Sequence, residues 1–202
     1  MIFPLPVVIF TTLLPISLCA TTTTVSTSQQ GPVVSSDYTD SMAFRNAVLN
    51  GTNTYRRQHN ATALKWNETL AEYAEKWSDR CFFNHSEGPY GENLASGYPN
   101  GTASIAAWGD ERQSYSFSSG EFSKKTGHFT QLVWKATTSV GCSRTNCTAK
   151  GDGTAPGWYV ICEYWPRGNV IGQFADNVQS RVKDPDPAES YRLIALEIQL
   201  LK

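Results

Sequence analysis

Apolar residues in the first half of the chain recur at the three- or four-residue spacing of amphipathic helices. The pattern predicts one helix from Ser41 to His59, with Asp40 or Ser41 as its N-cap. It predicts a second helix after Asn67, which is a suitable cap, and a third over residues 103–115. The apolar positions that align on these helices are Phe44, Val48, Tyr55, Leu70, Ala74, Trp77, Ile105, Trp108 and Tyr115.

Strand patterns dominate the second half of the chain. The segments "FTQLVWKAT" and "SVGCSR" predict two strands, and "GWYVICEYW" predicts a third between Gly157 and the turn at residues 166–169. Helices come first and strands later, without strict alternation. This order predicts an α+β layered domain with a mostly antiparallel sheet.

Both ends of the chain differ from the middle in composition. Residues 1–20 are apolar and end in small residues, which is typical of a secretory signal peptide, although a basic start is missing. An uncleaved membrane anchor is the alternative, and three prolines within the segment argue against it. We therefore expect a secreted, extracellular protein without a stable membrane anchor.

Domain boundaries follow from the same composition. Residues 21–39 are rich in Thr and Ser and predict a disordered stalk, followed by one folded domain over residues 40–182. Residues 183–202 read as a linker and a short C-terminal helix or tail. The chain of 202 residues is 40% hydrophobic, enough for one packed domain with tails. Its formal net charge of -1 gives no electrostatic case for binding nucleic acid.

Loss of the signal peptide removes Cys19 and leaves Cys81, Cys142, Cys147 and Cys162. An even number of cysteines in a secreted chain implies two disulfides, for which three pairings are possible. A zinc cluster is the other interpretation, but the sequence contains no Cys-x-x-Cys pair.

Six Asn-x-Ser/Thr sequons fit an extracellular surface. Two of them, at Asn84 and Asn146, adjoin a candidate site residue and a cysteine. The expected glycosylation sites are therefore the remaining four: Asn50, Asn60, Asn67 and Asn100.

Two histidines and two glutamates are candidates for a functional site. His85 and His128 stand beside loop signals, Glu92 lies in "GPYGENLA", and Glu111 lies on the third predicted helix. Such a set suits one divalent metal ion or general acid–base chemistry. Spacing alone does not bring the four residues together. His59 reads as a surface or helix-end residue.

Three segments resemble the CAP superfamily of cysteine-rich secretory, antigen 5 and pathogenesis-related group 1 proteins. "GHFTQLVWKATTSVGC" and "YVICEYWPRGNVIGQF" are similar to its two signatures, and "HSEGPYGENLA" is similar to a third marker. The resemblance covers residues 40–180 and is nearest to secreted fungal members that bind sterols. It implies a three-layer α-β-α sandwich around a central, mostly antiparallel sheet.

The resemblance also implies roles for particular residues. The two His and two Glu of the family match His85, Glu92, Glu111 and His128, with the two imidazoles facing each other across a central cleft. The family uses these imidazoles to hold a divalent metal, commonly zinc. By the same resemblance, Cys142 pairs with Cys162 and Cys81 pairs with Cys147.

The function that the resemblance favours is the binding and carriage of sterols or related small lipids, in a defence or virulence setting. "YSFSSGEF" resembles the sterol-binding loop of fungal members and provides Tyr115, Phe117 and Phe122; alternatively, these aromatics simply pack onto the domain. A metal-dependent hydrolase that uses the His/Glu cleft and an effector that binds a non-lipid partner are two further functions that the sequence allows. Enzymatic activity is not expected, because the sequence has neither HExxH nor GxSxG.

Overall fold

The structure is a computed structural model that describes residues 34–150 and 153–182. The predicted signal peptide, most of the stalk, and the predicted linker and helix beyond residue 182 lie outside the described residues. The elements in chain order are α1 (Ser36–Thr39), α2 (Ser41–Gln58), β1 (Lys65–Trp66), α3 (Glu68–Ser78), β2 (Gly91–Ser96), α4 (Gly101–Asp110), a 3₁₀ turn (Glu111–Ser114), α5 (Gly127–Leu132), β3 (Ser139–Asn146), β4 (Trp158–Trp165) and α6 (Phe174–Asn177).

The long helices begin at side-chain caps. The Asp40 carboxylate accepts a hydrogen bond from the backbone N–H of Ala43 at 2.7 Å, and the Asn67 side chain accepts one from Leu70. The first two helix predictions and both caps are confirmed. The third helix starts slightly earlier than predicted because Asn100 caps it, and its last turn tightens into the 3₁₀ turn.

The four strands lie in the order β1-β3-β4-β2, with β4 antiparallel to both neighbours and the short β1 parallel to β3. Alternate residues of β4 face opposite sides of the sheet. Val160 and Tyr164 pack into the core shared with α2, α4 and α5, whereas Tyr159 and Ile161 pack into a second cluster with α3. Helices therefore cover both faces of the sheet, and the predicted sandwich is confirmed.

The strand predicted from "FTQLVWKAT" is wrong, because this segment contains the helix α5. Its apolar residues are buried as predicted, but the backbone is fixed by distant side chains. The wholly buried Arg56 donates hydrogen bonds to the carbonyls of Leu132, Trp134 and Thr137 at 2.8–3.1 Å. Burial lowers the pKa of Arg56 to about 10. These tertiary contacts override the strand propensity of the segment.

Two disulfides join Cys142 to Cys162 and Cys81 to Cys147, as the resemblance implied. Cys142 and Cys162 lie opposite each other in the β3–β4 ladder. The second disulfide ties the segment that leads into His85 to the end of β3, so it restrains the approach to the candidate site.

The packed domain extends upstream of the predicted boundary at Asp40. Tyr38, in α1, is buried and its ring stacks on Trp158 with centroids 4.6 Å apart. At the other end, the N–H of Val182 donates to the carbonyl of Gln58, so the chain is still attached to α2 there. Within residues 34–150 and 153–182, no helix has the length and apolar character needed to cross a bilayer.

Candidate functional site

The first His–Glu pair joins His85 to Glu92. The Nδ1 atom of His85 lies 2.5 Å from Oε1 of Glu92, and the N–H of Ser86 donates to both carboxylate oxygens. The hydrogen bond from Glu92 raises the pKa of His85, although burial opposes it. Burial pushes the pKa of Glu92 upward, but its hydrogen bonds to His85 and Ser86 outweigh burial and leave it lowered. Both shifts favour the charged form of each group, as expected of a hydrogen-bonded imidazole and carboxylate.

The second pair joins His128, in α5, to Glu111 at the start of the 3₁₀ turn. Nδ1 of His128 lies 2.6 Å from Oε1 of Glu111. The other carboxylate oxygen accepts hydrogen bonds from the N–H groups of His128 and Phe129 at 3.0 and 3.1 Å. One carboxylate thus orients an imidazole and also caps the first turn of the helix that carries it.

The four predicted residues assemble as two pairs that line different cavities. His85 and Glu92 line an open cavity of about 280 Å³ with polar neighbours that include Arg167 and Asn169. His128 and Glu111 line a cavity of about 250 Å³ with apolar neighbours that include Phe83 and Trp108. The strand β2 lies between them: Glu92 belongs to the first pair, while the next residue, Asn93, donates to the carbonyl of His128 at 3.0 Å.

The chemistry of each pair fits an imidazole prepared as a metal ligand. A carboxylate that accepts from Nδ1–H leaves Nε2 free to bind a metal, an arrangement common around zinc sites. Zinc sites usually have three or four protein ligands. Across the part of the chain that the structure describes, no three His, Cys, Asp or Glu side chains are grouped to hold one ion.

Ser86, the nearest hydroxyl to a site histidine in sequence, is not paired with an imidazole. Its Oγ accepts a hydrogen bond from the N–H of Gly88, while Nδ1 of His85 is bonded to Glu92. A nucleophilic serine needs a base within hydrogen-bonding reach. The described contacts therefore provide no serine–histidine pair here.

The three aromatic residues of the predicted sterol loop have different surroundings. Tyr115 is buried, and Phe117 packs against its ring and against His59 and Phe129, with centroids 4.9–6.1 Å apart. Only Phe122 is exposed, at 46%, and it lines the cavity of His85. Two of the three aromatic side chains of the loop thus pack onto the core, and Phe122 is the one that is exposed to solvent.

Sequence reasoning missed the surroundings of two residues, Glu163 and His59. Glu163 in β4 is wholly buried and lies opposite Glu92 in the ladder. The sequence signal that could have revealed Glu163 is a glutamate in the middle of the most apolar predicted strand. His59, read as a surface or helix-end residue, ends α2 but is buried, with Nδ1 2.7 Å from the carbonyl of Gln179. Its pKa is lowered by burial.

Comparison with known proteins identifies a family. The family model described as "CAP: Cysteine-rich secretory protein family" matches residues 49–164. Over 140 residues the chain is 49% identical to the protein PRY2 of Saccharomyces cerevisiae, covering 67% of this chain and 41% of PRY2. It is 40% identical over 177 residues to the secreted protein RBT4 of Candida albicans, covering 84% of this chain and 44% of RBT4.

A plant relative gives the same result, and a solved structure gives the same fold. The chain is 36% identical over 152 residues to pathogenesis-related protein 1A1 of Solanum lycopersicum, covering 71% of this chain and 81% of that protein. The structure of venom allergen-like protein 4 of Schistosoma mansoni has a TM-score of 0.53 at 23% identity and covers 72% of this chain and 96% of that one. The latter likeness supports the fold alone. The chain spans less than half the length of the two fungal relatives.

Proposed function

The chain belongs to the cysteine-rich secretory protein family, and from that premise we propose that it is a secreted protein that binds a sterol or a related small lipid. The observation that carries this proposal is the apolar groove around His128. It is lined by Phe83, Leu94, Ala95, Tyr98, Ala107 and Trp108, with the His128–Glu111 pair beside them.

The groove offers what a flat apolar molecule with one hydroxyl group requires. Phe83 and Tyr98 keep 45% and 38% of their surface exposed, so both rings are available to a ligand. Covering such surface stabilises a complex by roughly 25 cal/mol per Å². The Nε2 atom of His128 makes no hydrogen bond to any described residue, so it is available to a ligand hydroxyl.

Apolar surface continues beyond the cavity itself. Its volume of about 250 Å³ is small for a whole lipid, since ligand pockets commonly measure ~300–1,000 Å³. Phe83 also lines a neighbouring cavity of about 400 Å³ with Phe82 and Trp77. We expect the hydroxyl end of the ligand at His128 and its hydrocarbon across Phe83.

The first experiment is saturation binding of radiolabelled cholesterol to the purified, disulfide-intact protein, with unlabelled sterol and a fatty acid as competitors. Saturable binding that sterol displaces and fatty acid does not supports a sterol carrier. Displacement by fatty acid supports a broader lipid site. Absence of saturable binding contradicts the proposal and favours a partner-binding role in defence or virulence.

A matched pair of variants then separates the groove from the predicted loop. Phe83→Ala and Phe122→Ala remove the same ring from sites that are 45% and 46% exposed. If the groove binds the ligand, Phe83→Ala weakens cholesterol binding about tenfold, ~1.4 kcal/mol, and Phe122→Ala leaves it unchanged. The reverse result would assign binding to the loop. Phe117→Ala is a poor test, because its ring packs against core residues.

Our second proposal is that His85 and His128 bind a divalent metal ion, with zinc as the expected ion. It rests on the two Nδ1–carboxylate contacts, which leave both Nε2 atoms available. When bound, zinc would supply positive charge and fix the imidazoles. Metal analysis of the single and double His85→Ala and His128→Ala variants tests it: loss of zinc in the double variant is expected, and unchanged zinc content contradicts the site. Partial loss in each single variant would indicate two separate sites.

A further inference from the structure

Glu163 is a carboxyl group in the interior of the protein without a visible hydrogen-bond donor. It lies in β4, its side chain is wholly buried, and neither oxygen accepts a hydrogen bond from a donor among the described residues. An isolated buried carboxylate is very costly, so such a group is normally paired or neutral. No described Lys or Arg forms an ion pair with it.

The neighbour of Glu163 is the carboxylate of the first His–Glu pair. Glu92 lies directly opposite Glu163 in the antiparallel β2–β4 ladder, where side chains of facing residues are in contact. Side chains at facing positions of such a ladder have Cβ atoms about 4.5–5.5 Å apart, so the two carboxyl groups can reach each other. Two ionised carboxylates are both acceptors and repel each other, so this contact is favourable only if one of them carries a proton.

The hydrogen bonds around the pair decide which group holds that proton. Glu92 already accepts from Nδ1 of His85 and from the N–H of Ser86, and these donors stabilise its ionised form. Glu163 has no such donor among the described residues. The proton therefore belongs on Glu163, whose O–H can donate to the facing Glu92 carboxylate.

We infer that Glu163 is a neutral carboxylic acid that donates a hydrogen bond to Glu92 and so acts as a positioning residue for His85. The result is a chain of three residues, Glu163–Glu92–His85. It holds the Glu92 carboxylate against Nδ1 of His85 and keeps Nε2 turned away from the acid, available to the open cavity. The same three residues would act in this way whichever ligand the cavity takes.

The electrostatic surroundings agree with this assignment. Burial first, and then the negative charge of Glu92, raise the pKa of Glu163 to about 9. The other titratable groups that interact with Glu163 are the phenols of Tyr159 and Tyr164, and burial raises the pKa of each. All of these neighbours are neutral at pH 7 except Glu92, so none of them offers a positive charge to a second carboxylate.

Infrared spectroscopy tests the protonation of Glu163 directly. The folded protein at neutral pH should show the carbonyl stretch of a neutral carboxylic acid, and Glu163→Gln should remove it. Glutamine has nearly the same shape and keeps an N–H donor toward Glu92. Absence of that band from the unchanged protein, or its persistence in Glu163→Gln, would overturn the inference.

The positioning role is tested by the tautomer of His85, read from ring ¹H–¹⁵N correlations above the pH at which the imidazoles titrate. We expect the Nδ1–H tautomer in the unchanged protein and in Glu163→Gln, and a shift toward the Nε2–H tautomer in Glu163→Leu. His128 provides an internal control, because its partner Glu111 is held by backbone N–H groups and should not respond. If Glu163→Leu folds and the tautomer of His85 is unchanged, the positioning role is contradicted. If Glu163→Leu does not fold, the infrared comparison of the unchanged protein with Glu163→Gln decides the inference.

Discussion

Both His–Glu pairs join an imidazole Nδ1 to a carboxylate, but different parts of the fold hold the two carboxylates in place. His85 and Glu92 are seven residues apart and meet between a loop and the edge strand β2, whereas His128 and Glu111 are 17 apart and meet between two helical segments. The His85 side chain is 62% exposed and that of His128 is 32% exposed. Glu92 is backed by a buried acid, and Glu111 by the N–H groups that start α5.

This difference shows that an imidazole–carboxylate contact does not by itself define a site. Around His85 the cavity is open and contains the Arg167 side chain, which suits polar or ionic ligands. Around His128 the walls are mostly aromatic and aliphatic, with Ser96 and Glu111 among them, which suits an apolar ligand with a polar group. We therefore expect the two pairs to have separate tasks, and variants that affect one pair and spare the other test that separation.

The largest expected effect comes from Arg56→Leu. This change removes the Arg56 donor from four backbone carbonyls, three of them at the end of α5 and in the turn after it. We expect the free energy of unfolding to fall by about 3–5 kcal/mol, measured by urea denaturation. The NMR signals of His128 should shift more than those of His85. Arg57→Leu, at the exposed neighbouring position, is the control, and an equal loss there would contradict the assigned role.

Replacing each glutamate of the two pairs by alanine compares how much each carboxylate contributes to stability. Glu111→Ala leaves the His128 ring and two backbone N–H groups unpaired, so we expect a loss of about 2–3 kcal/mol in the free energy of unfolding. Glu92→Ala removes the hydrogen bonds to His85 and Ser86 and also leaves the buried O–H of Glu163 without its acceptor, so we expect it to cost at least as much. A smaller loss for Glu92→Ala than for Glu111→Ala in urea denaturation would contradict this.

The pH dependence of stability should come from the His85 side. Folded Glu163 keeps its proton until about pH 9, whereas in the unfolded chain it loses it near the ordinary value of 4.5. Between these values unfolding releases a proton, so the free energy of unfolding should fall as the pH rises, by on the order of 1 kcal/mol per pH unit. Glu163→Gln should be stabilised relative to the unchanged protein, increasingly so toward pH 9. Parallel pH profiles for the two proteins would contradict this.

The smallest expected effect concerns ligand affinity. His128→Ala should weaken cholesterol binding roughly fivefold, because one hydrogen bond contributes about 1 kcal/mol. His85→Ala should leave that affinity unchanged, since His85 lines the other cavity. Equal losses in the two variants would show that both pairs contact one ligand, as the single cleft implied by the family resemblance requires.

Elements whose signals are local could be predicted from the amino-acid sequence. The caps Asp40 and Asn67 and the apolar spacing after them predicted α2 and α3, and the segments "SVGCSR" and "GWYVICEYW" predicted β3 and β4. These signals suffice because capping and side-chain periodicity act between residues a few positions apart. The four site residues and both disulfides came from the family resemblance, which covers most of the folded part.

Features that depend on distant partners became visible only in the folded domain. The segment after Gly127 is a helix because Glu111 and Arg56 satisfy its two ends from other parts of the chain. Phe117 is packed rather than open because α2 brings His59 beside it. Glu163 faces Glu92 because β2 pairs with β4, although the two strands are far apart in the sequence. In each case the deciding energy is a contact between residues far apart in sequence, and no local pattern encodes it.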